Sequence, residues 1–200
     1  MIRGDISMLK KIAIFTMILG FAIIAFSGYY IWDGKQKEAE SIARAEALLD
    51  EGNKSKEGPK KTGPFEANFG DEIGMLQIDK IDANIAIVEG THEDELRHGV
   101  GHYSGTAFPE EDDQVVLSGH RDTVFQRMGE LDEGDIITVR MPYGVYEYEI
   151  FETFITDADD RTVIVPHDEE VLTVTTCYPF SYIGSAPDRY IINAKPVYKD

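Results

Sequence analysis

Cysteine is almost absent from this chain: it occurs once in 200 residues, as Cys177. A single cysteine has no partner within its own chain, so an intramolecular disulfide is excluded. Cys177 is therefore a buried small apolar residue, a site for pairing between molecules, or a reactive nucleophile. The lone thiol leaves these three interpretations open.

Basic residues are also scarce, with 19 lysines and arginines against 37 aspartates and glutamates. The formal net charge of −18 argues against binding nucleic acid or anionic lipid through a basic patch. An acidic surface has a simpler role as well, because net charge keeps an exported domain soluble.

Charge is missing altogether from Ile12 to Trp32, a run of 21 residues. A helix rising about 1.5 Å per residue would carry this run across the roughly 30 Å core of a bilayer. Arg3, Lys10 and Lys11 precede it, so the positive-inside rule predicts a cytoplasmic N-terminus and an extracellular remainder. A cleaved signal peptide is the alternative, but the run is longer than a typical signal and lacks a small-residue cleavage site.

The chain is thus predicted to have four parts. They are a cytoplasmic N-terminus (1–11), a transmembrane anchor (12–32), an extracellular helical and flexible stalk (33–70) and one compact domain (71–200). Within the stalk, Lys35–Glu51 is rich in helix-forming residues, and Gly52–Pro64 has the composition of a flexible spacer.

Short β-type runs separated by turn residues dominate the rest, which predicts an all-β barrel or sandwich. The predicted strands are Met75–Ile78, Ile85–Val88, Gln114–Ser118, Ile136–Met141, Val145–Phe151, Val171–Thr176 and Tyr190–Ala194. Period-two alternation on both sides of Pro142–Gly144 predicts a hairpin. A single helical turn is expected at Glu93–Leu96.

Cys177 closes the strand that begins at Val171, and strand-like sequence resumes at Arg189. If the two strands pair antiparallel, Arg189 lies beside Cys177. A fixed cation favours a neighbouring thiolate and stabilises an oxyanion that forms on an attacked acyl group. The plainer interpretation of Arg189 is a salt bridge with Asp188.

A thiol nucleophile also needs a proton partner, and His120 stands at the end of another β run, directly after Gly119. The four remaining histidines fit that role less well: His92 and His167 lie in acidic loops, and His98 and His102 enclose Gly-Val-Gly. No metal site is predicted, since a zinc site would require Cys177 itself as the third ligand.

Three motifs, taken together, resemble the sortases, a Gram-positive family of cysteine transpeptidases. They are SGHRDT at 118–123, TVTTC at 173–177 and Arg189, twelve positions after the cysteine. The longer stretches 89–106, 117–135 and 177–192 are most similar to the class D branch. The similarity extends over roughly residues 73–197, with modest departures at 78–81 and 109–113.

The resemblance implies a closed eight-stranded sortase β-barrel with short helices. It also implies that Cys177 attacks a cell-wall sorting signal of the LPxTG or LPxTA type, that His120 transfers protons, and that Arg189 binds substrate and stabilises the oxyanion. Thr176 is a candidate to shape the oxyanion site, although a plain strand threonine is the equal alternative.

The partners implied are surface proteins with sorting signals, an amine of peptidoglycan or its lipid-linked precursor, and the membrane. A pilin-polymerising sortase is a less favoured alternative, because residues 33–73 contain no Asp-Pro-aromatic lid motif. The alternative from another class is a membrane-anchored binding module whose acidic loops hold calcium. No cofactor is predicted, and calcium modulation is not indicated by any defined calcium-loop spacing.

Overall fold

A computed structural model describes residues 3–54, 65–97, 99–181, 184 and 186–198. Most of the predicted spacer Gly52–Pro64 and His98 lie outside these residues. The chain divides into two compact units, Met1–Lys37 and Glu38–Asp200. The predicted domain boundaries at residues 11, 32 and 70 stay predictions.

Helix α1 runs from Arg3 to Lys54 and includes both the uncharged stretch Ile12–Trp32 and the predicted helix Lys35–Glu51. Large apolar side chains between Met8 and Trp32 are exposed along its length. Among the described residues, α1 is the one helix that is long and apolar enough to cross a membrane. Its composition and its exposed apolar surface suggest membrane anchoring.

The second unit contains eight strands and a four-residue helix α2 (Glu93–Leu96), the predicted helical turn. The strands are β1 (Glu72–Ile78), β2 (Ala83–Glu89), β3 (Val100–His102), β4 (Gln114–Gly119), β5 (Ile136–Met141), β6 (Gly144–Asp157), β7 (Val171–Tyr178) and β8 (Asp188–Pro196). They form a closed barrel in the order β1-β2-β3-β4-β7-β8-β6-β5. The predicted all-β barrel of eight strands is confirmed.

Two strands differ from the prediction. Strand β3 was not predicted, because three residues with Gly101 at the centre are too short to show an alternating pattern. Strand β6 continues past the predicted end at Phe151 to Asp157. A register shift between Ile150 and Glu152 interrupts the period-two pattern there, while pairing with β8 continues.

Apolar side chains from all eight strands fill the barrel. One buried example from each strand, in order, is Leu76, Ile87, Val100, Leu117, Ile137, Ile150, Leu172 and Ile192. Burial of each such side chain contributes about 1.5–3 kcal/mol. Closure of the sheet leaves no unpaired edge, so the positions of the strand ends are well determined.

The C-terminal part of α1 packs against the outside of the barrel. Ala45 and Leu49 form a buried apolar cluster with Met75 on β1 and Ala86 on β2. These residues point away from the barrel interior and would face solvent without the helix. The segment of α1 from residue 38 onward is therefore part of the folded catalytic unit.

An ion pair flanks this cluster, since Arg44 donates to Glu72 Oε1 at 2.6 Å through Nη2. Ser41 Oγ donates to the same oxygen at 3.1 Å. Burial is the largest single effect and raises the pKa of Glu72, but the hydrogen bonds from Arg44, Ser41 and the backbone, together with the charge of Arg44, outweigh it, so the pKa of Glu72 lies below its ordinary value. The pair fixes the rotation of α1 about its axis.

A second buried polar contact lies at the barrel end opposite Cys177. The hydroxyl of Tyr148, whose side chain is fully buried, donates to Glu170 Oε1 just before β7 begins. Burial, together with the charges of Asp112 and Glu110, raises the pKa of Glu170. The folded state disfavours the ionised form of Glu170. This carboxyl group therefore destabilises the barrel once the pH rises above the ordinary pKa of a glutamate side chain.

Leu49→Ala should remove side-chain packing at the interface between α1 and the barrel, where Leu49 is 4% exposed. We expect a loss of about 2–5 kcal/mol in the free energy of unfolding. Thermal unfolding of the full chain in detergent, followed by near-UV circular dichroism, measures this loss. Leu48→Ala, at a partly buried neighbour, is the control and should cost less; equal losses would contradict the packing described.

Glu170→Gln should remove the pH-dependent penalty at the far end of the barrel. The unfolding temperature of the variant relative to that of the native protein should rise between pH 5 and pH 8, by about 2–4 °C per kcal/mol of penalty removed. Glu169→Gln, at the exposed neighbouring position, is the control and should show no such trend. A difference for Glu170→Gln that is constant with pH would rule out the raised pKa.

Candidate active site

Cys177 lies near the end of β7 and is partly exposed, whereas most of the preceding strand is buried. In the antiparallel pairing of β7 with β8, its Cα partner is Arg189. The predicted pairing of these two strands is confirmed. The two residues come together because β7 and β8 are neighbouring antiparallel strands of the barrel.

His120 follows β4, which runs parallel to β7. Gly119 is the Cα partner of Thr176, so His120 is the next residue beyond the ladder, just as Cys177 follows Thr176. The carbonyl oxygen of His120 accepts a hydrogen bond from Phe125 N at 3.0 Å, which fixes the turn after β4. His120, Cys177 and Arg189 are thus carried by three adjacent strands at one end of the barrel.

Thr176 connects β7 to β4 through its side chain. Its hydroxyl is buried and donates to the carbonyl oxygen of Gly119 at 2.7 Å. The residue before His120 is thereby tied to the residue before Cys177. The hydrogen of this hydroxyl points toward the neighbouring strand.

Gly119 is required by close packing. A Cβ atom at this position would lie 2.5 Å from the ring of Phe125, which is fully buried. Any side chain here would push the turn that follows His120 away from the barrel. Gly119 and Phe125 therefore act together to set the backbone position of His120.

The guanidinium of Arg189 contacts backbone carbonyl groups. Its Nη1 donates to the oxygen of Asp188 at 3.0 Å and to that of Ala186 at 3.5 Å. The Asp188 contact is made by the backbone carbonyl, whereas the plainer interpretation of Arg189 would use the carboxylate. These bonds hold the guanidinium against the backbone at the start of β8, where Arg189 is the Cα partner of Cys177.

Three aromatic rings flank the cysteine and the arginine. Phe180 packs edge-on against both Tyr178 and Tyr190, with ring centroids 5.7 and 5.4 Å apart. Gly129 allows this approach, because a Cβ atom there would lie 2.8 Å from the Phe180 ring. The aromatic rings give the residues around Cys177 a rigid apolar support.

Arg121, directly after His120, was not singled out from the sequence. It is 8% exposed, and its Nη2 donates to the carbonyl oxygen of Gly184 at 2.8 Å. Gly184 lies in the segment that joins β7 to β8. In the sequence, Arg121 could have been noticed as the arginine of SGHRDT. An arginine adjacent to a candidate histidine does not by itself indicate burial, however.

Glu93, at the start of α2, was considered in the sequence as the first residue of a helical turn and as part of an acidic loop, without a link to the candidate site. A hydrogen bond from Arg97 lowers the pKa of Glu93, with a smaller contribution from the charge of His120. The first turn of α2 therefore lies within electrostatic range of the histidine.

Two of the other described histidines, His92 and His102, have structural contacts. His102 is 1% exposed, with Nδ1 2.6 Å from Glu89 Oε2 and Nε2 3.0 Å from the carbonyl oxygen of Ala107. The ring of His92 lies at a tilted angle to that of Phe69, with centroids 5.9 Å apart. These contacts account for the two side chains without a catalytic role.

In the acidic loops considered as calcium sites, carboxylates accept hydrogen bonds from backbone N–H groups. Asp113 accepts hydrogen bonds from the backbone N–H groups of Gln114 and His167. Asp160 accepts one from the backbone N–H of Thr162. Across the described part of the chain, no group of three or more histidine, cysteine, aspartate or glutamate residues is disposed to hold a metal ion.

Comparison with known proteins identifies the family to which a chain with this fold and site belongs. Residues 76–197 match the sortase domain family. The chain is 43% identical over 197 residues to Sortase D of Bacillus subtilis (strain 168), which covers 95% of this chain and all of that protein. Both this match and the family match extend through the three strand ends described above.

Solved structures of sortases are also similar to this chain. A Clostridium perfringens Sortase D5 transpeptidase is 29% identical, with a TM-score of 0.68 over 82% of this chain and 99% of its own. The catalytic domain of B. anthracis SrtD is 44% identical, with a TM-score of 0.57 over 70% of this chain and 97% of its own. Taken with the single cysteine at the barrel end, these matches show that the chain belongs to the sortase family of cysteine transpeptidases and is a homologue of its class D members.

Proposed function

We propose that this chain is a membrane-anchored sortase that cleaves an LPxTG or LPxTA sorting signal after threonine and transfers the acyl group to a peptidoglycan amine. The observation that carries the proposal is the register around β7. Cys177 is the partner of Arg189 on one side, and Thr176 is the partner of Gly119, next to His120, on the other.

In the first half of the reaction, the Cys177 sulfur attacks the carbonyl carbon of the signal threonine, and negative charge develops on the carbonyl oxygen. Arg189, which is charged at any working pH, stabilises this oxyanion and holds the substrate. The C–N bond then breaks, His120 donates a proton to the leaving amine, and the acyl group remains as a thioester.

In the second half, an amine of peptidoglycan or its lipid-linked precursor attacks the thioester carbonyl. His120 accepts the proton that the attacking nitrogen loses, and the C–S bond breaks to regenerate the thiolate of Cys177. One amide bond is broken and one is formed, so the reaction consumes no cofactor. Transfer of a surface protein to the cell wall is the net result.

Thr176 contributes by position in this proposal. Its hydroxyl donates to the Gly119 carbonyl, so it couples the backbone on which His120 is carried to the backbone on which Cys177 is carried. It helps to shape the oxyanion site by holding these two strand ends at a fixed separation, and it need not contact substrate directly.

Membrane attachment is part of the same proposal. The apolar part of α1 would span the bilayer, with Arg3, Lys10 and Lys11 on the cytoplasmic side and the barrel outside. Tyr29, Tyr30 and Trp32 would lie at the outer interface, where aromatic side chains are enriched. Sorted proteins and lipid-linked acceptors are both presented at that surface.

The proposed acyl-enzyme can be detected directly. The full chain in detergent is mixed with LPxTG and LPxTA peptides, and intact mass spectrometry is used to find an adduct equal to the peptide up to its threonine. The adduct should require Cys177, so Cys177→Ala should show none. Adding an amine acceptor should convert it to a transfer product.

Substitutions of the other two residues are tested in the same assay. Arg189→Lys keeps the charge but loses the planar group, and we expect acylation to slow by about a hundredfold or more. His120→Ala should slow release of the leaving amine to a similar degree. A folded native protein that forms no adduct with either peptide, and whose thiol resists alkylation, would instead favour the binding module.

The positioning role of Thr176 predicts a difference between two substitutions. Thr176→Val retains the shape but leaves the Gly119 carbonyl without this donor, so we expect acylation to slow by about tenfold or more. Thr176→Ser retains the hydroxyl and should stay close to the native rate. If the two variants acylate at equal rates, the hydrogen bond to Gly119 has no part in catalysis.

A further inference from the structure

Arg121 is a buried cation beside the proposed proton-transfer residue. A guanidinium removed from water is stable only where hydrogen-bond acceptors replace its hydration. The Gly184 carbonyl oxygen is one such acceptor, at 2.8 Å from Nη2. The contact joins residues 63 positions apart in the chain, so it is a tertiary link between the turn after β4 and the segment after β7.

Gly184 is suited to this link because of its backbone conformation. Its φ of +110° lies in the region that residues with a Cβ atom rarely adopt. This conformation directs the carbonyl group of Gly184 to the guanidinium. Both ends of the contact are therefore specified, one by a buried arginine and the other by a glycine.

We propose that Arg121 is a positioning residue for acyl transfer: it holds Gly184 in place on the side of His120 where the amine acceptor enters. This inference rests on the proposed function. His120 serves the departing amine and then the entering amine, so both pass through the space next to His120. The contact from Arg121 to Gly184 ties Gly184 to the residue that directly follows His120.

The three groups that perform the chemistry are held by other contacts. Thr176 ties β7 to Gly119, Phe125 N fixes the His120 carbonyl, and the β7–β8 ladder aligns Cys177 with Arg189. Loss of Arg121 should therefore spare thioester formation and reduce use of the acceptor. If Arg121 had a merely structural role, its loss would instead lower the rates of thioester formation and of acceptor use, together with the unfolding temperature.

The test uses Arg121→Met in the full chain in detergent, with a sorting-signal peptide and one of three amines. Triglycine and diaminopimelic acid are acceptors that need a binding surface, whereas hydroxylamine attacks thioesters without one. We expect the ratio of transfer to hydrolysis with triglycine or diaminopimelic acid to fall about tenfold to a hundredfold. The rates of Cys177 alkylation and of hydroxylamine release should match those of the native protein.

Two further variants keep the test informative if Arg121→Met unfolds. Arg121→Lys retains a donor toward Gly184 and should recover part of the transfer ratio. Gly184→Ala perturbs the carbonyl from the opposite side without changing the arginine, and should lower the ratio as Arg121→Met does. Arg161→Met, the same substitution at an exposed arginine, is the matched control and should leave the ratio unchanged.

Each outcome has one meaning. An unchanged ratio in Arg121→Met and in Gly184→Ala would overturn the inference and leave the proposed function intact. An equal loss of alkylation, hydroxylamine release and transfer would reduce Arg121 to a structural residue and also overturn it. Absence of the acyl-enzyme in the native protein would remove the proposed function itself, and with it this inference.

Discussion

The active end of this barrel depends on the position of β7 between a parallel neighbour and an antiparallel one. The parallel ladder with β4 aligns Thr176 with Gly119, and the antiparallel ladder with β8 aligns Cys177 with Arg189. A shift of one residue in either ladder would turn the affected side chain to the other face of the sheet. The buried core of a closed barrel resists that shift, so packing far from the cysteine maintains the geometry around it.

The catalytic unit extends beyond the barrel. Strand β1 has a buried interior face, represented by Leu76, and also a covered exterior face, where Met75 contacts Ala45 and Leu49 of α1. The same helix that carries the apolar N-terminal stretch thus completes an outer surface of the fold. An expression fragment that begins after α1 would expose Met75 to water, so a functional fragment should retain residues 38–54.

Much of the fold and the pairing of Cys177 with Arg189 could be predicted, because strand alternation and turn residues are local signals. Strand β3 could not, since three residues carry no period. The tie between Thr176 and Gly119 and the burial of Arg121 were also inaccessible, because they depend on the relative positions of strands distant in sequence. An exposed arginine and a buried one look identical in the sequence, and only the barrel topology separates them.

We propose that His120 and Arg189 act on Cys177 as one unit. The register of β4, β7 and β8 sets the geometry of this unit. The most direct test is a double-mutant cycle on single-turnover acylation, with His120→Ala, Arg189→Lys and the combined variant. Residues that act as a unit are strongly non-additive, so the combined variant should be little slower than the slower single variant. Multiplicative losses, or a native acylation rate in either single variant, would contradict the account.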